Sequence, residues 1–161
     1  MRAARSLQAI WQPEAVIFIG LQGSGKSSFF KERFFGSHVR INLDMLRTRH
    51  RETLLLRACI EMQQHFVVDN TNPLLAERAK YIEPARKAGF RIVGYYFWPD
   101  LTGSIRRNGR RSGRERVPTQ AIVATAKRMQ PPTLAEGFDQ LYRVKLNQGQ
   151  FVVDELTDSE P

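Results

Sequence analysis

An apolar run that passes at once into a glycine-rich octapeptide constrains this chain more than any other feature. Ala15 to Ile19 (AVIFI) has the length and the Val, Ile and Phe content of a buried strand. Gly20-Leu21-Gln22-Gly23-Ser24-Gly25-Lys26-Ser27 then matches G-x-x-x-x-G-K-[ST], and Ser24 to Phe34 reads as a helix entered through the glycines. Glycines let the backbone curl until successive N–H groups face one anion, and the helix N-terminus adds partial positive charge. Residues Gly20 to Ser28 are therefore candidates to hold the phosphates of a nucleotide. In that arrangement Lys26 reaches the β- and γ-phosphates and Ser27 ligates Mg²⁺. The loop implies ATP or a related nucleoside triphosphate together with Mg²⁺; no motif separates ATP from GTP.

Short apolar runs and longer helical patterns alternate through the rest of the chain. Val39 to Asn42, Phe66 to Val68 and Phe90 to Trp98 read as strands, the last ended by Pro99. Asp44 to Gln64 has helical spacing, with Asp44 placed to cap it. Leu74 to Ala88 reads as a helix stopped by Gly89, a further helix starts near Asp100, and Thr119 to Met129 is stopped by Pro131 and Pro132. Tyr142 to Leu146 and Phe151 to Val153 form a hairpin around Asn147 to Gly149, and the acidic residues 154–161 read as a frayed tail. The alternation predicts an α/β fold with a mostly parallel sheet, which places ligands at the carboxyl ends of its strands. The 161 residues suit one domain with its core at about 14–146, and no internal repeat is visible.

Polar residues follow two of those strand ends. Asp44 lies just past the second strand, and Arg47 follows three residues later, on the same face of a helix. Two readings compete: a helix cap with a surface ion pair, or a carboxylate that takes a proton from an attacking hydroxyl beside a cation that holds an anionic acceptor. Downstream of a phosphate loop the second is the better reading. Asp69 follows the apolar run Phe66 to Val68, where an acid would hold Mg²⁺ or its water. The next residue is Asn70 rather than the Glu that activates water in motor ATPases, which argues against a hydrolytic machine. Asn70, Thr71 and Asn72 offer hydrogen-bonding groups at the same edge, although Asn72-Pro73 is also an ordinary helix entry.

Charge is the other signal. The net charge of +9 and pI of about 10.3 favour polyanionic partners, nucleotide or nucleic acid. Arg106, Arg107, Arg110, Arg111, Arg114 and Arg116 crowd into eleven residues with Gly109 and Gly113 among them. Such a segment can close over a phosphate as a lid, lie open as a solvated loop, or bind nucleic acid nonspecifically. The single cysteine, Cys59, sits in a leucine-rich stretch and reads as a buried apolar residue, so a reducing, cytoplasmic compartment is expected. No apolar run is long enough to span a membrane, and Met1 to Ala9 lacks the apolar core of a signal peptide. His38, His50 and His65 have no metal-binding spacing with Cys59.

Five segments together resemble the kinase domain of the 5′-polynucleotide kinases, within the P-loop kinases and the wider AAA-type ATP-binding proteins. They are GLQGSGKSS at Gly20 to Ser28, INLDMLR at Ile41 to Arg47, VVDNTNP at Val67 to Pro73, RNGRRSGRERVP at Arg107 to Pro118 and PPTLAEGFDQLYRV at Pro131 to Val144. The resemblance implies a P-loop NTPase-like three-layer sandwich with an Arg-rich lid. It implies an ATP- and Mg²⁺-dependent kinase whose acceptor is the 5′-hydroxyl of DNA or RNA. Lys26 and Ser27 match the nucleotide and metal residues, Asp44 the general base and Arg47 the acceptor-phosphate residue. Arg107 and Arg111 match the lid arginines, with Arg106 and Arg110 as adjacent alternatives, and Asn72 falls among the substrate-binding positions. No D-x-D-x-[TV] phosphatase signature accompanies them, so the chain reads as a kinase module alone. The alternatives are a kinase for a small metabolite or nucleoside and a nucleotide-gated binding module that does not turn over.

Overall fold

The structure, a computed structural model, describes residues 11–158. The N-terminal segment Met1 to Ala9 and the end of the acidic tail lie outside the described residues. Strand β1 (Glu14–Ile19) leads through the phosphate loop into α1 (Lys26–Arg33), β2 (Val39–Ile41), α2 (Leu43–Leu46), α3 (Arg49–Met62) and β3 (Phe66–Val68). Then come α4 (Leu75–Lys87), β4 (Arg91–Phe97), α5 (Leu101–Gly109), α6 (Thr119–Arg128), β5 (Gln140–Asn147) and β6 (Gln150–Glu155). Short 3₁₀ turns occupy Gly113–Glu115 and Leu134–Glu136. Among the described residues no helix is long and apolar enough to cross a membrane.

The strands form one sheet in the order β2-β3-β1-β4-β5-β6. All neighbours run parallel except β5 and β6, which form an antiparallel hairpin. Because side chains alternate along a strand, each central strand feeds two cores. Ile17, Ile19, Val68 and Ile92 face Cys59 of α3 and Tyr81, Ile82 and Ala85 of α4. Val16, Phe18, Val67, Val93 and Phe97 face Phe29 and Phe30 of α1, together with Phe34. Helices therefore cover both faces, giving three layers. Cys59 is fully buried, and burial pushes its thiol up to about 11, as suits a packing residue.

Two expectations change. The helix expected from Asp44 to Gln64 is two helices. Asn42, not Asp44, caps α2 by accepting from Met45 N at 2.9 Å, and Thr48 caps α3 by accepting from Arg51 N at 3.2 Å. Arg47 ends α2 with φ of 76°, so it does not continue one helical face from Asp44. Two strong N-cap residues six positions apart compete for the same stretch, and both succeed. The tail is ordered further than expected: Asp154 and Glu155 belong to β6, in register with Arg143 and Tyr142.

The order places the topological switch between β1 and β3, where the chain leaves β1 for one side and later crosses to the other. The turn after β3 is clamped there from beneath. Arg78 of α4, fully buried, donates from Nη1 to the carbonyls of Asn72 (3.0 Å) and Pro73 (3.2 Å). Its Nε and Nη2 form a fork on Glu136 at 2.7 and 3.0 Å. Glu136 lies in the PTLAEGF segment, so Arg78 ties that segment to the distant Asn72-Pro73 turn. Arg78→Met leaves Glu136 buried and unpaired and should cost about 3–5 kcal/mol in urea unfolding. Adding Glu136→Leu should recover much of that loss, because an apolar pair replaces the orphaned charge. A single-variant loss within about 0.5 kcal/mol, the size of an ordinary surface change, would contradict this role.

Candidate active site

The phosphate loop is held in shape by its own backbone and by the β3 turn. Gly20 N donates to Thr71 O at 3.0 Å, and Asn72 Nδ2 donates to Phe18 O at 2.8 Å. Gly23 and Gly25 have φ of 76° and 95°, conformations that side chains rarely adopt. A Cβ on Gly23 would also lie 2.5 Å from Ser104 O, because α5 packs directly against the loop. Lys26 folds back into the loop, donating from Nζ to Gly20 O (3.0 Å), Leu21 O (2.6 Å) and Ser24 Oγ (3.3 Å). Three acceptors satisfy all three ammonium donors. Burial nevertheless pushes the Lys26 amine down to about 8, with Asp69 and Asp44 opposing that shift and Arg111 adding to it.

Beside the loop, the Ser27 hydroxyl donates to Asp69 Oδ2 at 3.1 Å. The parallel register that sets Ile17 against Val68 carries these two residues together. A hydroxyl and a carboxylate are hard oxygen donors of the kind Mg²⁺ takes, with phosphate and water completing its shell. Arg40 of β2 reaches the same point. Its Nε lies 2.8 Å from Asp69 Oδ2, and its Nη2 lies 3.0 Å from Ser27 Oγ.

Asp44 is positioned through the backbone around it. Asn42 Nδ2 donates to Asp69 O at 2.6 Å, and Leu43 N donates to Asn70 Oδ1 at 2.9 Å. Asn70 Nδ2 in turn donates to Glu52 Oε2 at 3.0 Å, and buried Glu52 also accepts from Tyr81 and Arg49. The short helix that carries Asp44 is thus fastened to the end of β3 by two asparagines, one of them backed by α3.

Two cavities meet at this point. One, of about 240 Å³, opens over the phosphate loop past Gln22, Lys26, Asp69 and Asn72. The other, of about 700 Å³, lies beyond α2 and is lined by Lys31, Arg40, Arg47, Arg111 and Arg114. Ser27, Asp44, Arg111 and Glu115 line both, so they form the shared wall. Arg47, although off the Asp44 helix face, reaches the second cavity with Asp44, and Ser28 lines it too.

The arginine-rich segment divides. Arg111 and Arg114 line the second cavity, whereas Arg107 donates from Nε to Gly23 O at 2.6 Å and lines neither. Arg106 and Arg110 also line neither. Asn72 lines the first cavity, but its side-chain amide is committed to Phe18 O. Sequence reasoning gave no role to Arg40, Glu52 or Arg78. A charge within a short apolar strand was the available signal for Arg40; the other two sit in helices where exposed charges look the same.

The Lys26 geometry has a consequence for binding. Phosphates at the loop favour the charged amine, so nucleotide binding should draw a proton onto Lys26 above about pH 8. Affinity should then fall as pH rises past that value, approaching about tenfold per unit. Titration calorimetry in buffers of different ionisation enthalpy measures both effects. Equal affinity at pH 7 and 10 without proton uptake would contradict them.

The chain matches the AAA domain family over residues 16–132. It is 25% identical over 135 residues to the bifunctional polynucleotide phosphatase/kinase of Schizosaccharomyces pombe (strain 972 / ATCC 24843). That alignment covers 81% of this chain and 33% of the relative, so the chain spans a third of that protein's length. Among solved structures, the gluconokinase from Sinorhizobium meliloti 1021 superposes with a TM-score of 0.58 at 20% identity, over 84% of each chain. Kti12 of Chaetomium thermophilum in complex with ADP-AlF3 superposes with a TM-score of 0.61 at 14% identity, over 81% of this chain and 88% of that one. The chain belongs to the AAA domain family, and its fold is that of the P-loop kinases.

Proposed function

We propose that this chain is an ATP- and Mg²⁺-dependent kinase that phosphorylates the 5′-hydroxyl of a polynucleotide. The observation that carries this reading is the second cavity: a carboxylate, Asp44, at the wall it shares with the phosphate loop, and five cationic side chains around it. A neutral acceptor has no use for that much positive charge, whereas the phosphates beside a strand's 5′ end do. The likeness to a polynucleotide phosphatase/kinase supports the same acceptor.

The 5′-hydroxyl enters from the cationic side and gives its proton to the Asp44 carboxylate. Its oxygen forms a bond to the γ-phosphorus as the bond to the β-bridging oxygen breaks, and ADP leaves. Lys26 exchanges the loop carbonyls for the β- and γ-phosphates, and Arg111, at the shared wall, faces the transferring group from the lid segment. Arg47 holds the first phosphate of the acceptor strand. Arg107, through Gly23 O, keeps the loop in its binding shape rather than touching phosphate. Mg²⁺, held by Ser27 with Asp69 behind it, would neutralise charge on the β- and γ-oxygens.

A second reading, a kinase for a small metabolite, is favoured by the cavity volume of about 700 Å³, a size that suits a small ligand. A nucleotide-gated binding module is the third, and it has no need of Asp44. Asp44→Asn should lower phosphoryl transfer by about 10²–10⁴-fold with nucleotide affinity retained. Turnover unchanged by this substitution would remove Asp44 from the reaction. Binding of a short 5′-hydroxyl strand should weaken with salt at a log–log slope of about −0.7 per phosphate held. A flat salt response would favour the small-metabolite reading.

A further inference from the structure

Arg40 lines the acceptor cavity and also grips both candidate metal ligands. Asp69 Oδ2 accepts from Ser27 Oγ at 3.1 Å and from Arg40 Nε at 2.8 Å, and Arg40 Nη2 lies at ion-pair distance from it, 2.8 Å. Ser27 Oγ, while donating to Asp69, accepts from Arg40 Nη2 at 3.0 Å. The Asp69 side chain is 1% exposed and the Arg40 side chain 28%, so the carboxylate is fixed and the cation has an outward path. Behind the guanidinium lies the Phe30 ring, 5.9 Å from Cζ to centroid.

A buried carboxylate needs a compensating cation. In the free protein Arg40 supplies it. A divalent ion binding Ser27 at about 2.1 Å shares the hydroxyl oxygen with the Arg40 guanidinium, and it brings a second positive charge next to the first. The guanidinium cannot lose its proton to relieve the repulsion, so it has to move. The open direction is the acceptor cavity, which already holds Lys31, Arg47, Arg111 and Arg114.

We propose that Arg40 is a metal-displaced latch: it occupies the Ser27–Asp69 site in the free protein, and metal–nucleotide binding releases it into the acceptor cavity, where it binds an acceptor phosphate. The proposal rests on the reading of the loop as a metal–nucleotide site. Donor loading then charges the acceptor cavity. By thermodynamic reciprocity, an anionic acceptor that holds Arg40 outward favours the metal.

The test compares wild type with Arg40→Met, which keeps a stem over Phe30 without the charge. Binding of a non-hydrolysable ATP analogue is measured across a Mg²⁺ titration and again without metal. In Arg40→Met the half-saturating Mg²⁺ concentration should fall by on the order of tenfold, while metal-free affinity for the analogue weakens. These shifts have opposite signs, which a merely structural role for Arg40 does not produce. A 5′-hydroxyl trinucleotide should lower half-saturating Mg²⁺ in wild type and leave the variant unchanged. Melting without nucleotide is a second readout: Mg²⁺ alone should raise the melting temperature of Arg40→Met more than that of wild type. Shifts of the same sign in both nucleotide arms, or no shift in half-saturating Mg²⁺, overturn the latch. A wild type that binds the analogue in neither arm overturns the loop reading and the latch with it.

Discussion

One buried oxygen organises the functional end of this molecule. Asp69 Oδ2 sits where β3 ends, beside the start of α1, and collects the hydroxyl of Ser27 and the guanidinium of Arg40. Its backbone carbonyl takes the Asn42 amide, and Asn42 starts the helix that carries Asp44. The phosphate loop, the second strand and the candidate base are thus referenced to one residue. That is possible because β3 lies between β1 and β2 in parallel register, so three strand ends open on the same side.

Around that point the chain spends buried polar groups on rigidity. Arg78 and Glu136 fix the carbonyls of the turn after β3, and Thr71 and Asn72 pass that order to β1 and the loop. Glu52, Tyr81 and Asn70 do the same for α2 from the same helix layer. The groups that face the cavities, by contrast, are long cationic side chains with partners that ligands can replace. Lys26 is bonded to loop carbonyls, and Arg40 to Ser27 and Asp69. A frame of satisfied hydrogen bonds holds a small set of charges that can change partners when phosphate arrives.

Much of the fold was legible in the sequence because the central strands β1, β3 and β4 are apolar and largely buried, which leaves few alternative readings. The conformation of the loop from Gly20 to Ser27 was legible because glycine spacing reports local backbone geometry directly. The place of Asp69 at the end of a buried strand was legible from the apolar run before it. The break at Arg47 was not, since helical periodicity continues through it and the competing caps at Asn42 and Thr48 decide the outcome. Asn72 looked like a displayed polar group, but its amide is turned into the sheet. Arg78 illustrates the harder case. Its partner, Glu136, is 58 residues away, and no local pattern separates a buried arginine from a solvated one. The arginine-rich segment was legible as a cationic cluster, but which of its arginines line the cavities depends on how α5 packs against Gly23.

We propose the loop and the cationic cavity as two halves of one transfer site for a polynucleotide end. The most direct measurement is transfer of label from γ-labelled ATP, with Mg²⁺, to short DNA and RNA strands with a 5′-hydroxyl, alongside the same strands carrying a 5′-phosphate. Label is expected on the 5′-hydroxyl strands alone. Protein that binds ATP yet labels none of these strands, or labels both ends alike, would contradict the proposal.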